Sequence, residues 1–193
     1  NVGRAVGASA AGETLACDAL KGFFSMMACR ELVAALCFGG DFSMTRPQTS
    51  FGWVTALLYL ACICGHVFSP YLRFHGGKGI AVGFGAGLGL AWPLALGLLA
   101  VFIAFAVPSR YVSAGSVAAD ISVPLWGLVL GFTPASIPPL VVVTCVVAWA
   151  HRENITKLLH GREQKFAFHH DGSRGQGPTD KKSDTGSGGG ALS

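Results

Sequence analysis

From Gly79 to Ser109 the chain carries no charged side chain, and from Gly52 to Gly65 it again carries none. A soluble domain seldom runs so far without an acid or a base, because its surface must meet water. A membrane span needs roughly 20 apolar residues, and a packed or tilted helix somewhat fewer. The runs therefore favour a chain folded in a bilayer over one built around a large soluble core. Composition agrees: 51% of the 193 residues are hydrophobic and 12% are charged.

The apolar segments predict helices over Ala10–Phe38, Phe51–Gly65, Gly79–Trp92, Pro93–Val107, Val117–Leu130 and Ala135–Ala150. Pro93, Pro108, Pro134 and the Pro138-Pro139 pair fall at or near the ends of these segments, where proline is tolerated. Pro124 falls inside one and is expected to kink it. The expected fold class is an all-α integral membrane protein, a polytopic transmembrane helix bundle with about six spans. Gly83/Gly87 and Gly85/Gly89 give overlapping small-xxx-small spacings, which predict close helix packing. No strand precedes them and the spacing is not G-x-G-x-x-G, so a dinucleotide loop is excluded.

Counting crossings places the segment before Ala10, the loop His66–Lys78, the turn Ser109–Ser116 and the stretch after His151 on one side. That side holds Arg4, Arg73, Lys78, Arg110, Arg152, Lys157, Arg162 and Lys165, whereas the opposite loops offer little beyond Arg46. An excess of Lys and Arg marks the cytoplasmic side. Asp18 and Lys21 are three apart and are expected to pair on one helix face, while Arg30, Glu31 and Asp120 look embedded. The six cysteines sit mostly in apolar runs without a C-x-x-C pair and read as small buried hydrophobes. From His169 to Ser193 the chain is rich in Gly, Ser, Asp and Lys and cannot build a core. The expected organisation is a membrane domain over 1–168 and a disordered cytoplasmic tail over 169–193.

Chemistry gathers on the basic side. Gly76-Gly77-Lys78-Gly79 combines a backbone free to approach a ligand with a fixed positive charge, next to a helix N-terminus that favours anions. It is not a Walker loop: Leu72 stands where the first glycine belongs, and Gly79 replaces the magnesium-binding hydroxyl. A turn with a lysine facing lipid headgroups is the plainer alternative. His151 and Asn154 lie three apart where the last apolar helix leaves the bilayer, so an imidazole and an amide share one face. Lys157, Arg162 and Lys165 are equally explained by a basic amphipathic helix resting on anionic lipid. Arg4 suits a phosphate or simply marks the inner face. Ser113 and Ser116 either cap a helix or donate to a substrate.

Taken together these runs resemble the bacterial acyl-phosphate:glycerol-3-phosphate acyltransferase family, known as PlsY. The likeness rests on Asn1-Val2-Gly3-Arg4-Ala5-Val6-Gly7, Asp18-Ala19-Leu20-Lys21-Gly22 and Gly65-His66-Val67-Phe68 leading to Phe74-His75-Gly76-Gly77-Lys78-Gly79. It continues through Arg110-Tyr111-Val112-Ser113 with Ser116, and His151 to Lys165. The resemblance implies a multi-pass enzyme of the bacterial inner (plasma) membrane with its active site facing the cytoplasm. Its reaction would move a fatty acyl group from acyl phosphate to the 1-hydroxyl of sn-glycerol 3-phosphate, giving lysophosphatidic acid and phosphate. Family members use no metal, no cofactor and no acyl-CoA. The expected partners are the two substrates and membrane lipid, with no nucleic acid, and the expected state is a monomer.

By the same resemblance His151, Asn154 and Arg4 would be catalytic, and Gly76, Gly77, Lys78, Gly79, Arg4 and Asn1 would bind phosphate. Ser113 and Ser116 would donate hydroxyls, and Glu163 and His66 would be structural. The family's early motif has a Ser-Gly-Asn stretch upstream of the residue matching Asn1, after a first membrane helix. A chain that starts at Asn1 is therefore expected to lack one of seven spans and to be inactive by itself. A small transporter for phosphorylated metabolites is the competing class; it would use charges near the midplane, such as Asp120, Lys21 and Arg30. An H-x-x-x-x-D acyltransferase is excluded, because Tyr71, Ile80, Thr156 and Lys165 follow the four candidate histidines at that spacing.

Overall fold

The computed structural model describes residues 8–74 and 76–163. Asn1, Arg4, His75, Lys165 and the expected tail over 169–193 lie outside the described residues. Those described form helices α1 (Ala8–Cys37), α2 (Gly52–Val67), α3 (Ile80–Leu90), α4 (Trp92–Ser109), α5 (Val112–Val129), α6 (Ile137–Ala150) and α7 (Arg152–Leu159). Short three-ten turns at Phe42–Thr45, Pro70–Leu72 and Pro134–Ser136 link some of them.

Gly52–Leu72, α4 and α5 are long and apolar enough to cross a membrane. The Pro134–Ala150 segment with α7, bent by 64° at their junction, makes up to a fourth. α3 has 11 residues, and at about 1.5 Å per residue it falls short of a hydrocarbon core roughly 30 Å thick. α1 has 30 residues, but Glu13, Asp18, Lys21, Arg30 and Glu31 interrupt its apolar character. The expectation of about six spans counts every apolar run, whereas length and composition support three or four. The helices turn apolar side chains outward, among them Leu96, Ile103 and Phe105 on α4 and Ile121, Leu125 and Val129 on α5. That is the surface of a protein solvated by lipid.

Glycines set how closely the helices approach. A Cβ on Gly85 would strike the carbonyl oxygen of Ala19, and one on Gly22 that of Val82, so α1 and α3 meet backbone to backbone. Gly89 continues this seam against Met26. Gly83 instead faces Tyr59 and Ile63 on α2, and Gly87 faces Ala95 on α4. The two small-xxx-small pairs thus serve different neighbours. Gly115 lets α5 settle on the Phe102 carbonyl and Ala106 of α4. This contact explains why α5 starts at Val112, ahead of the expected Val117. Arg110, with φ of 61°, and Tyr111 suffice to reverse the chain.

The cysteines differ from expectation. Cys17, Cys37 and Cys145 are exposed and Cys29, Cys62 and Cys64 half-buried, all free. In a lipid-solvated bundle an apolar side chain gains as much by facing outward as inward, so hydrophobicity does not locate it.

Two polar clusters occupy opposite ends of the bundle. At one end the buried Arg30 guanidinium donates to Thr45 Oγ1 and to the carbonyls of Gly89 and Leu90, and lies 4.3 Å from the Phe42 ring centroid. Arg30 therefore caps the C-terminus of α3, where unpaired carbonyls and the negative end of the dipole meet a cation. The other end carries the candidate site.

Candidate functional site

Gly76 and Gly77 cross the C-terminal end of α2. The Gly76 amide donates to the Val67 carbonyl at 3.1 Å, and a Cβ on Gly76 would strike the carbonyl oxygen of His66. A Cβ on Gly77 would strike the His66 ring. That ring has its Nδ1 4.0 Å from Asp18 Oδ1, and Asp18 accepts from Lys21 Nζ at 2.7 Å. His66 is thus a wedge between α1 and the loop, and the expected Asp18–Lys21 pair forms. Gly79, with φ of 86°, occupies the left-handed region that favours glycine and starts α3.

The loop brings Lys78 to α7. Lys78 Nζ donates to Asn154 Oδ1 at 2.6 Å, and Asn154 Nδ2 donates to Glu163 Oε1 at 3.1 Å. The two bonds fix the amide orientation and leave two ammonium protons for a ligand. Burial lowers the Lys78 pKa, and the Glu163 carboxylate across the cavity opposes that shift. Gly76, Gly77, Lys78, Asn154 and Glu163 line one cavity of about 350 Å³, within the usual size of small-molecule sites.

His151 stands at the 64° bend between α6 and α7 and is only 3% exposed. Its Nδ1 lies 2.9 Å from the Val147 carbonyl, which accepts the ring N–H and leaves the lone pair on Nε2. Burial lowers its pKa, the Val147 carbonyl opposes the shift, and Lys78 adds to it. The imidazole is therefore neutral at pH 7 and competent to accept a proton.

The serines are placed differently from expectation. Ser113 and Ser116 are buried within the first two turns of α5, not on a turn, and the N-cap position is Tyr111 without a side-chain cap. Neither lines the cavity, and Ser113 Oγ has no hydrogen-bond partner among the described residues. α5 and α6 run antiparallel with Thr144 Oγ1 donating to the Asp120 carbonyl at 3.0 Å. Seven residues back along α5 and seven forward along α6 bring Ser113 level with His151, about 10 Å from that bond at 1.5 Å per residue. Gly79 also lies just outside the lining. Asn1 and Arg4 are outside the described residues.

Sequence reasoning missed the apolar wall. Trp149 packs on Phe68 with ring centroids 5.5 Å apart, and Arg152 stacks on Trp149 at 4.1 Å from its centroid. Val67, Phe74 and Trp149 give the cavity an apolar wall. An aromatic at the end of an apolar helix reads as an interfacial anchor, and only the bend between α6 and α7 turns Trp149 into the site.

A polytopic bundle with a cationic, glycine-framed cavity beside a neutral buried histidine matches the family model described as glycerol-3-phosphate acyltransferase, over residues 1–161. The chain belongs to this family. The glycerol-3-phosphate acyltransferase of Rubrobacter xylanophilus is 36% identical over 166 residues, covering 86% of this chain and 75% of the relative. That of a Synechococcus species is 43% identical over 120 residues, 61% of this chain and 60% of the relative. The alignment thus spans less than two thirds of that relative's length. Two crystal structures of PlsY, an integral membrane glycerol 3-phosphate acyltransferase, are similar to this chain. The glycerol 3-phosphate form has a TM-score of 0.70 at 31% identity, covering 86% of this chain and 76% of that one. The lysophosphatidic acid form has a TM-score of 0.70 at 32% identity, covering 86% and 78%. The family and the outward apolar surface together make this a membrane protein.

The charges on which a transporter would depend are otherwise engaged. Lys21 pairs with Asp18 and Arg30 caps α3. Asp120 is the exception, buried with Oδ2 unpartnered among the described residues.

Proposed function

We propose that the protein transfers an acyl group from acyl phosphate to the 1-hydroxyl of sn-glycerol 3-phosphate, releasing phosphate and lysophosphatidic acid. The observation that carries this reading is the Lys78–Asn154–Glu163 relay at a cavity framed by Gly76 and Gly77. An ammonium with two open protons beside glycine backbone suits a phosphate monoester. The acyl transfer is the activity of the similar glycerol-3-phosphate acyltransferases.

Glycerol 3-phosphate binds with its phosphate on Lys78 and its free hydroxyls toward His151. Holding both reactants in one cavity turns a two-body encounter into an oriented one. The hydroxyl oxygen attacks the acyl carbonyl, the carbonyl carbon–phosphate oxygen bond breaks, and phosphate leaves with that electron pair. The hydroxyl proton goes either to His151 Nε2 or to the departing phosphate. Arg4 and Asn1 join the phosphate grip, and Ser113 and Ser116 hold substrate oxygens when they reach it. The acyl chain lies along the Val67, Phe74 and Trp149 wall, within the membrane. Lys78, Arg152, Lys157 and Arg162 gather at this end, supporting a cytoplasmic site in the bacterial inner membrane by the positive-inside rule.

The test is radiolabelled glycerol 3-phosphate with acyl phosphate or acyl-CoA as donor, using membranes that carry the full-length protein. Label is expected in lysophosphatidic acid with acyl phosphate alone; equal or faster transfer from acyl-CoA defeats the reading.

The His151 pKa sets a pH dependence. The folded value lies below the ordinary 6.5, so the unfolded chain binds more protons between the two values. The neutral ring's stabilisation is therefore complete above pH 6.5 and lost as pH falls through the folded pKa. If His151 accepts the proton, kcat/KM falls on the acid side with an apparent pKa below 6.5, and His151→Gln abolishes that limb. An unchanged acid limb in His151→Gln assigns the proton to the phosphate.

A further inference from the structure

We propose that Thr144 is a positioning residue, whose hydroxyl latches the break that Pro124 makes in α5 and so keeps Ser113 and Ser116 in register with His151. This rests on the reading above, in which those serines hold substrate oxygens near the histidine.

The break follows from the sequence of α5. Pro124 lies inside the helix, and proline has no N–H to offer the carbonyl four residues back. That carbonyl belongs to Asp120, a buried residue. A buried carbonyl deprived of its helical partner is costly unless another donor reaches it. Thr144 Oγ1 of α6 is that donor, at 3.0 Å. The bond ends on the Asp120 backbone, so the Asp120 carboxyl takes no part in it. In the same turn Ser122 Oγ donates to the Ala119 carbonyl at 2.7 Å, a back-bond of the kind that bends helices.

Thr144 differs from other helical hydroxyls of the chain. Thr14, Ser109 and Thr156 each donate to the carbonyl four residues back in their own helix, at 2.8, 2.5 and 2.8 Å. Thr144 makes its own-helix bond, to Leu140, only at 3.4 Å, and the bond across helices at 3.0 Å. Its hydroxyl thus favours the neighbouring helix over its own turn. Among the described residues this is the one hydrogen bond that joins α5 to α6. In lipid the hydrophobic effect supplies no force between helices, so packing and such bonds set how they register.

The latch lies between the two faces that carry the site. Ser113, Ser116 and Asp120 follow at spacings of three and four, share one face of α5 and are all buried. Thr144, Val147 and His151 follow the same spacing on α6, and the Val147 carbonyl accepts from the His151 ring at 2.9 Å. The turns of α5 ahead of Pro124 are thereby held at two points. Gly115 seats them on Phe102 and Ala106 of α4, and Thr144 ties their far end to α6. Without the tie, those turns swing at Pro124 and carry the serines away from His151. A misplacement of about 1 Å is enough to slow a reaction that depends on position.

The full-length protein in nanodiscs is compared as wild type, Thr144→Val, Thr144→Ser, Pro124→Ala and the Pro124→Ala/Thr144→Val double variant. Amide hydrogen exchange read by mass spectrometry reports the latch, and transfer from acyl phosphate to glycerol 3-phosphate reports its consequence. In Thr144→Val, exchange over Val112–Asp120 is expected to quicken about fivefold, from the usual strength of a hydrogen bond between membrane helices. Exchange in α1 and α3 stays as in the wild type. The same variant lowers kcat about tenfold and leaves KM for glycerol 3-phosphate within about twofold, because Lys78 is held by the loop and α7. Thr144→Ser keeps the donor and keeps both readouts. Alanine at position 124 returns an N–H to the Asp120 carbonyl. In the Pro124→Ala background, Thr144→Val therefore changes neither exchange nor kcat by more than about twofold, a coupling that general loosening does not produce.

Equal losses from Thr144→Val in the two backgrounds overturn the proposal. So does unchanged exchange over α5 in Thr144→Val, or exchange that quickens equally in α1 and α3. Faster exchange over α5 with kcat unchanged also overturns it, because the bond is then structural only. If exchange and its rescue appear as expected while the wild type transfers no acyl group from acyl phosphate, the latch stands and the acyltransfer reading falls.

Discussion

Lys78→Met lowers the affinity for glycerol 3-phosphate by about a hundredfold, and kcat/KM by at least as much. Methionine keeps the length of the stem and loses every donor. The Lys78 ammonium donates to Asn154 at 2.6 Å and offers two further protons to the cavity. Charge-assisted bonds of this kind contribute about 1.5–3 kcal/mol each. Losing the grip also leaves Asn154 Oδ1 unpaired and frees the amide to rotate away from Glu163. Calorimetry with glycerol 3-phosphate on the full-length protein is the check, and Lys78→Arg should restore part of the affinity as a second cation. A change smaller than threefold in Lys78→Met would remove Lys78 from the phosphate site.

Gly85→Ala has the largest expected effect on the fold. The added methyl runs into the carbonyl oxygen of Ala19, and neither helix backbone can yield without opening the α1–α3 seam. Overpacking of this kind costs about 3 kcal/mol. A lowered thermal midpoint in detergent, read by loss of the monodisperse species, measures it. Gly12→Ala is the matched control, since nothing lies within 4 Å of its added methyl and alanine favours a helix over glycine by up to about 1 kcal/mol. Equal midpoints for the two variants would show that the seam tolerates a side chain.

The helices were legible because apolar runs broken by proline and glycine report local chemistry, and the ends of α2, α4 and α6 fall close to the expected limits. Gly76, Gly77 and Lys78 were legible as residue types suited to phosphate, Asn154 as an amide that could orient a substrate, and Glu163 only through the family resemblance, as structural. Their convergence was not, since Lys78 and Asn154 stand far apart in sequence and meet only through folding. Ser113 shows the opposite limit. A hydroxyl near a basic turn reads as a cap or a donor, and only the contact of Gly115 with Phe102 draws it into the helix. The number of spans stayed beyond reach for a related reason. Hydropathy registers apolar length, and α3 is apolar along all of its 11 residues yet too short to cross.

The sequence by itself determined a helical membrane protein with a basic, glycine-rich face, because burial in lipid and positive charge at one boundary depend on residue type and order. The tertiary structure alone decided that His66 holds Gly77 in place, that the bend at His151 turns Trp149 into the cavity, and that Thr144 donates to the Asp120 carbonyl. Each of these follows from distances between residues on different helices or across a helix cap. Such distances are set by the close approach of backbones that the glycines permit, and no pattern along the chain carries them.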